Sequence, residues 1–91
     1  MNNIKKILII DDEKPTREFI RHMLESFNLN VSIFTDGENV ETGVKAIEKI
    51  QPDLVLLDIQ MPDGSGFDVL KRIKTAKEAM YMLRCKKDIP F

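Results

Sequence analysis

Two short apolar runs dominate the hydrophobic pattern of the chain. Residues 7–10 and 54–57 are apolar at every position. Because a run of this length is too short for a typical helix, it predicts a strand buried on both faces of a parallel sheet. Residues 31–35 alternate between polar and apolar types, which predicts a half-exposed strand at a sheet edge.

Helical periodicity occupies the segments that connect these strands. A first helix is predicted from about Pro15 to Phe27 and a second from about Glu38 to Ile50. The apolar stripe of the first helix, expected to face the core, consists of Phe19, Ile20, Met23, Leu24 and Phe27. A third helical pattern begins at Phe67 and continues to Leu83, and residues 88–91 are typical of the start of a fourth strand.

The order of the elements predicts an open α/β fold. Right-handed crossovers place the second and third strands on either side of the first, in the order 2-1-3. The gap between the first and third strands is then the point where the direction of winding reverses. Ligands of such sheets bind there, at the carboxyl ends of the strands.

Acidic residues follow both apolar strands. Asp11 and Asp12 come directly after the first strand, and Asp58 ends the third. Carboxylates about 5 Å apart repel one another by about 3 kcal/mol per pair at an effective dielectric constant near 20. Such a cluster therefore favours a bound cation, and Mg²⁺ is the ion that suits oxygen ligands with few protein carboxylates. Asp58 is the candidate nucleophile for a phosphoryl group held by that ion.

Composition limits the classes of function. The 91 residues make one domain, residues 1–91, and 14 Lys and Arg against 15 Asp and Glu leave a formal net charge of −1. This balance provides no basic surface for nucleic acid, and the absence of an apolar stretch of about 18 residues predicts no membrane span. The single cysteine, Cys85, fits a reducing, cytoplasmic setting.

Two motifs carry a resemblance to a known family. Residues 7–13 and 52–67 resemble the receiver domain of bacterial two-component response regulators, and the resemblance extends from about residue 5 to residue 73. It implies a flavodoxin-like fold in which Asp58 accepts a phosphoryl group from a sensor histidine kinase. It also implies a set of Mg²⁺ ligands: Asp12 and Asp58 directly, Asp11 through a water molecule, and the backbone carbonyl of Gln60.

The sequence departs from the family after the third strand. Receivers continue with a fourth strand that ends in Thr or Ser and a fifth that ends in Lys-Pro, and both side chains contact the phosphoryl group in the family. We therefore expect a C-terminally truncated receiver with an incomplete output switch. The third strand is then expected to lie at an exposed sheet edge and to promote self-association, unless residues 80–83 cover it.

Two other classes of function remain open from the residues. The first is an interaction module that docks a kinase or another receiver through its first helix and is never phosphorylated. The second is a Mg²⁺-dependent phosphohydrolase. Gln60 disfavours this enzyme class, because such enzymes place an acid or hydroxyl two residues after their nucleophile, and we expect no enzymatic turnover.

Overall fold

A parallel sheet forms the centre of the molecule. The computed structural model describes residues 4–73 and 79–85. The main sheet contains β1 (Lys6–Ile10), β2 (Ser32–Gly37), β3 (Leu54–Asp58) and β6 (Met80–Arg84). The helices within the described residues are α1 (Lys14–Glu25), α2 (Val40–Ile50) and α3 (Gly66–Arg72), and a short hairpin of β4 (Gln60–Met61) and β5 (Gly64–Ser65) precedes α3.

The described sheet has the strand order β2-β1-β3-β6, with all neighbours parallel. The predicted α/β class and the 2-1-3 order are confirmed, and β2 lies at an edge as its alternating pattern indicates. The helix bounds differ from the predicted ones by one or two residues at most ends. Such differences are normal where the ends of helices fray.

One face of the sheet carries a closely packed core. Side chains of α2 and α3 pack there against alternate residues of β1 and β3. The buried members of this core are Leu8, Ile10, Val40, Val44, Ala46, Ile47, Ile50, Val55, Leu57, Met61 and Val69. Right-handed crossovers place α2 and α3 on this face and α1 on the other, because β2 and β3 lie on opposite sides of β1.

The prediction that the apolar stripe of the first helix faces the core is wrong for three of its five residues. Phe19, Phe27 and Met23 are 66%, 62% and 44% exposed, while Ile20 and Leu24 are half-buried. The residue of α1 that is buried is Arg17. The side of α1 that carries Arg17, Ile20 and Leu24 is turned toward the sheet. The side that carries Phe19 and Met23 faces away from it.

The third helical pattern is shorter than predicted. Helix α3 ends at Arg72, and residues 80–84 form strand β6, which pairs with β3 along its whole length. The exception stated for the third strand is the arrangement observed: residues 80–84 cover the edge of β3, which lies between β1 and β6 and is not exposed. Self-association through β3 loses its structural basis, and the strand predicted at residues 88–91 lies outside the described residues.

Strand β6 is now at the edge of the described sheet. Its apolar side chains Met80, Met82 and Leu83 are 53%, 56% and 40% exposed. In the described ranges, 4–73 and 79–85, no helix combines the length and apolar character needed to cross a membrane.

Candidate functional site

Three carboxylates meet at the carboxyl ends of β1 and β3. One oxygen from each of Asp11, Asp12 and Asp58 lies within 4.8 Å of the others. Asp11 and Asp58 are almost fully buried, with 2% and 1% of their surface exposed, and Asp12 is half-buried. Because β1 and β3 are neighbours in register, residues that follow them arrive at the same edge of the sheet.

The same local turn orients the two buried carboxylates. Asp11 Oδ1 accepts a hydrogen bond from the backbone N–H of Glu13 at 2.9 Å, and Asp58 Oδ1 accepts one from that of Gln60 at 3.1 Å. Aspartate commonly accepts a backbone N–H two residues further on, since its short side chain matches that geometry. The turn thus fixes one oxygen of each side chain.

Glycine permits α3 to begin directly beside Asp58. A Cβ atom on Gly66 would lie 2.7 Å from the Asp58 carbonyl oxygen, so any larger residue requires a backbone shift. The backbone N–H of Gly66 donates to the carbonyl of Ile59 at 2.9 Å. Gly64 has φ +152°, a conformation that favours glycine. The loop after β3 therefore depends on both glycines for its path.

Burial and charge act in opposite directions on Asp58. Burial raises the pKa of this carboxyl above its ordinary value, and the nearby Asp11 carboxylate raises it further. The hydrogen bond from the Gln60 N–H and the positive charge of Arg84 lower the pKa but do not cancel the rise. A positive charge bound between the carboxylates would relieve this penalty, as expected for a cation site.

Two arginines that the sequence did not indicate contact Asp11. Arg17 of α1 is buried, and its Nη1 donates to the Asp11 backbone carbonyl at 2.6 Å. Arg84 Nη1 lies 2.5 Å from Asp11 Oδ2. An arginine in the first helical turn after an acidic strand end was a usable signal for Arg17. Arg84 offered none, because β6 itself was not predicted.

The structure brings together the three predicted carboxylates. For Gln60 it shows a backbone N–H contact only. Its backbone N–H contacts Asp58, as described above, and the ligand role of its carbonyl stays a prediction. In the same way, the geometry establishes that Asp11, Asp12 and Asp58 are neighbours, and their metal and phosphoacceptor roles stay predictions.

Known proteins show the same sequence pattern. Residues 7–86 match the family model of the response regulator receiver domain. Transcriptional regulatory protein YdfI of Bacillus subtilis is 34% identical over 71 residues, which are 78% of this chain and 33% of that protein. Transcriptional regulatory protein BtsR of Escherichia coli is 38% identical over 65 residues, 71% of this chain and 27% of that protein. The chain thus spans a third or less of the length of these relatives.

Solved structures show the same fold. Response regulator protein TrrA from Thermotoga maritima, in complex with Mg(2+)-BeF, is 35% identical with a TM-score of 0.78, over 92% of this chain and 71% of that one. The N-terminal domain of a response regulator receiver protein from Methanoculleus marisnigri is 30% identical with a TM-score of 0.78, over 93% and 69%. Motifs, strand order and these similarities agree, and the chain belongs to the response regulator receiver domain family.

Proposed function

We propose that this domain accepts a phosphoryl group on Asp58 from a sensor histidine kinase, in a Mg²⁺-dependent reaction in the cytosol. The observation that carries the proposal is the meeting of three carboxylate oxygens within 4.8 Å at one sheet edge. The family membership supports it, since response regulators are signalling proteins of two-component systems.

The donor set fits Mg²⁺. All side-chain donors of the cluster are carboxylate oxygens, which suit a small, hard cation that keeps several of its waters. Asp12 and Asp58 would hold the ion directly, Asp11 through water, and the Gln60 carbonyl would complete the protein ligands. The similar Thermotoga structure is a complex with Mg(2+)-BeF, which supports the same ion here.

Each residue has a distinct task in the proposed reaction. A carboxylate oxygen of Asp58 attacks the phosphorus atom, the bond from phosphorus to the histidine nitrogen of the kinase breaks, and an aspartyl phosphate forms. Bound Mg²⁺ supplies charge neutralisation at the phosphoryl oxygens. The hydrogen bond from the Gln60 N–H fixes Oδ1 of Asp58. The close approach of the Gly66 backbone to the Asp58 carbonyl keeps the loop after β3 in place.

Phosphorylation by a small donor tests the proposal without knowledge of the kinase. The chain is incubated with acetyl phosphate and Mg²⁺, and the intact mass is measured. We expect a single phosphate adduct that is absent without Mg²⁺ and absent in Asp58→Asn. Asp36→Asn is the matched control, because Asp36 is an exposed carboxylate near the end of β2 and lies outside the cluster.

Two results would contradict the proposal. A folded wild-type chain that never carries an adduct would favour a module that only docks other proteins. An adduct that persists in Asp58→Asn would show that another residue is the phosphoacceptor.

A further inference from the structure

Arg84 brings a fixed positive charge into the acidic cluster. It is the last residue of β6 and stands opposite Asp58 in the strand register. Its backbone carbonyl accepts a hydrogen bond from the N–H of Ile59 at 2.8 Å, which anchors the main chain. From that position its guanidinium reaches across β3, and Nη1 lies 2.5 Å from Asp11 Oδ2.

The ion pair joins a buried acid to a partly exposed base. Asp11 is 2% exposed, whereas the side chain of Arg84 is 44% exposed. The two oxygens of Asp11 have partners of different kinds: Oδ1 accepts the N–H of Glu13, and Oδ2 accepts the guanidinium. A guanidinium keeps its charge at any ordinary pH, so Arg84 places a permanent positive charge beside the cluster.

We propose that Arg84 is a built-in counter-ion of the acidic cluster and that a divalent cation must displace its guanidinium from Asp11 in order to bind. The inference rests on the proposed function, because it concerns the same metal site. Two effects act in the same direction. The water molecule through which the ion contacts Asp11 must take the place of the guanidinium at Oδ2. The ion must also approach a like charge that lies a few ångströms away.

The exposure of Arg84 makes this displacement feasible. Its backbone is held by the strand pairing and by Ile59, so β6 need not move when the guanidinium leaves Asp11. The long side chain swings into water, where a guanidinium is well solvated. Arg84 thereby sets the Mg²⁺ concentration at which the site fills, and it is a positioning residue that acts through Asp11.

Metal binding to the whole chain, without any phosphoryl donor, tests this role. Isothermal titration with Mg²⁺ is compared for the wild type, Arg84→Gln and Arg84→Lys. We expect Arg84→Gln to bind Mg²⁺ about tenfold more tightly, equivalent to about 1.4 kcal/mol. Arg84→Lys keeps the positive charge and loses only the planar guanidinium, so its Mg²⁺ affinity should stay near that of the wild type.

A matched control removes the same charge elsewhere. Arg72 pairs with Glu41 at 3.0 Å, and both side chains are about half exposed, on α3 and α2. Arg72→Gln should leave Mg²⁺ affinity unchanged. As a second readout, the Nε–H resonance of Arg84 in the wild type should shift as Mg²⁺ is added, and circular dichroism should show that each variant is folded.

The possible failures are distinguishable. If the wild type binds Mg²⁺, Asp12→Asn abolishes binding, and Arg84→Gln binds no more tightly than the wild type, then the counter-ion role is wrong and the metal site stands. If neither the wild type nor Arg84→Gln binds Mg²⁺, then the metal site of the proposed function and the role of Arg84 both fail. An equal rise in Mg²⁺ affinity in Arg72→Gln would show that the effect comes from net charge alone, and it would overturn the specific role of Arg84.

Discussion

The two faces of the central sheet are packed to different degrees. On one face, α2 buries six of its eleven residues against β1, β3 and α3. On the other face, α1 buries a single residue among its twelve, and that residue is Arg17. A cavity of about 300 Å³ lies on this second face, lined by Ile4, Ile7, Leu24, Leu29, Val31 and Leu54. Helix side chains are therefore buried mainly on the α2 side of the sheet.

The N-termini of the two helices repeat this contrast. Asn39 accepts a hydrogen bond from the N–H of Thr42 in a capping box at the start of α2, and Asp63 accepts two more, from Val40 and Glu41. Helix α1 begins after Glu13, whose side chain makes no capping hydrogen bond. Stabilising contacts thus concentrate on α2 both along its length and at its end.

The functional cluster depends on both faces. Asp58 is the last residue of β3, whose core-facing side chains pack under α2, whereas the backbone carbonyl of Asp11 accepts a hydrogen bond from Arg17 of α1. The less packed helix therefore still contributes a specific contact to the site. Packing density and functional contact are separate properties of an element, and substitutions can test them separately.

The largest expected effect compares the same substitution on the two faces. Ile47 of α2 is fully buried, while Ile20 of α1 is half-buried. Ile47→Ala should lower the free energy of unfolding by about 2–5 kcal/mol, because it removes buried surface and leaves a cavity. Ile20→Ala should cost about 1 kcal/mol, since less surface is buried there. Urea unfolding followed by circular dichroism measures both values.

Similar losses for the two variants would contradict the contrast between the faces. The slope of the unfolding free energy with urea must stay constant between variants for the comparison to be valid. A larger loss for Ile20→Ala than for Ile47→Ala would mean that α1, and not α2, carries the stability of the sheet.

The sequence predicted the strands better than the helix faces, for a physical reason. The runs that became β1 and β3 are apolar at every position, so their burial does not depend on which side faces a partner. The stripe of α1 has the correct helical period, but period alone does not specify which line along the helix meets the sheet. The structure turns Ile20 and Leu24 toward the sheet and leaves Phe19 and Phe27 outside.

Strand β6 illustrates a second limit. Its residues continue a helical spacing that begins at Phe67, and five apolar or long side chains in a row fit either a helix or a strand. Pairing with β3 selects the strand, and pairing is a non-local interaction that periodicity does not contain. The same cause hid the contact of Arg84 with Asp11, whereas the acids themselves were predictable because each one ends a recognisable strand.

A second prediction tests how closely the start of α3 packs against the backbone of Asp58. Gly66→Ala should destabilise the fold by about 1–3 kcal/mol, because the new Cβ would lie 2.7 Å from a backbone atom, the Asp58 carbonyl oxygen. In Gly43→Ala the Cβ would lie 3.1 Å from Cγ2 of the buried Ile10 side chain, and the gain in helix propensity, about 1 kcal/mol, offsets part of the crowding. Gly43→Ala should therefore cost less stability than Gly66→Ala, about 1 kcal/mol, because it crowds a side chain and not the backbone.

Urea unfolding again gives the free energies, and the amide resonance of Asp58 reports displacement at the site. Gly66→Ala should shift that resonance, and Gly43→Ala should leave it in place. A Gly66→Ala protein as stable as the wild type would show that the β3–α3 junction is looser than its geometry indicates.

The smallest expected effect concerns the capped end of α2 and depends on pH. The hydrogen bond from the Val40 N–H, followed by that from Glu41, holds the pKa of Asp63 below its ordinary value of 3.8. Because the folded-state pKa is the lower one, the ionised side chain stabilises the fold above about pH 4, and the contribution is lost as the pH falls through the folded-state pKa. Asp63→Asn should therefore lower Tm slightly at pH 7, and the difference from the wild type should shrink toward pH 3.

The effect is small because Asp63 is exposed, and the exposed Asp36→Asn variant serves as the control. A difference in Tm that stays constant from pH 7 to pH 3 would show that the charge of Asp63 does not stabilise α2, and the contrast between the two helices would then rest on burial alone.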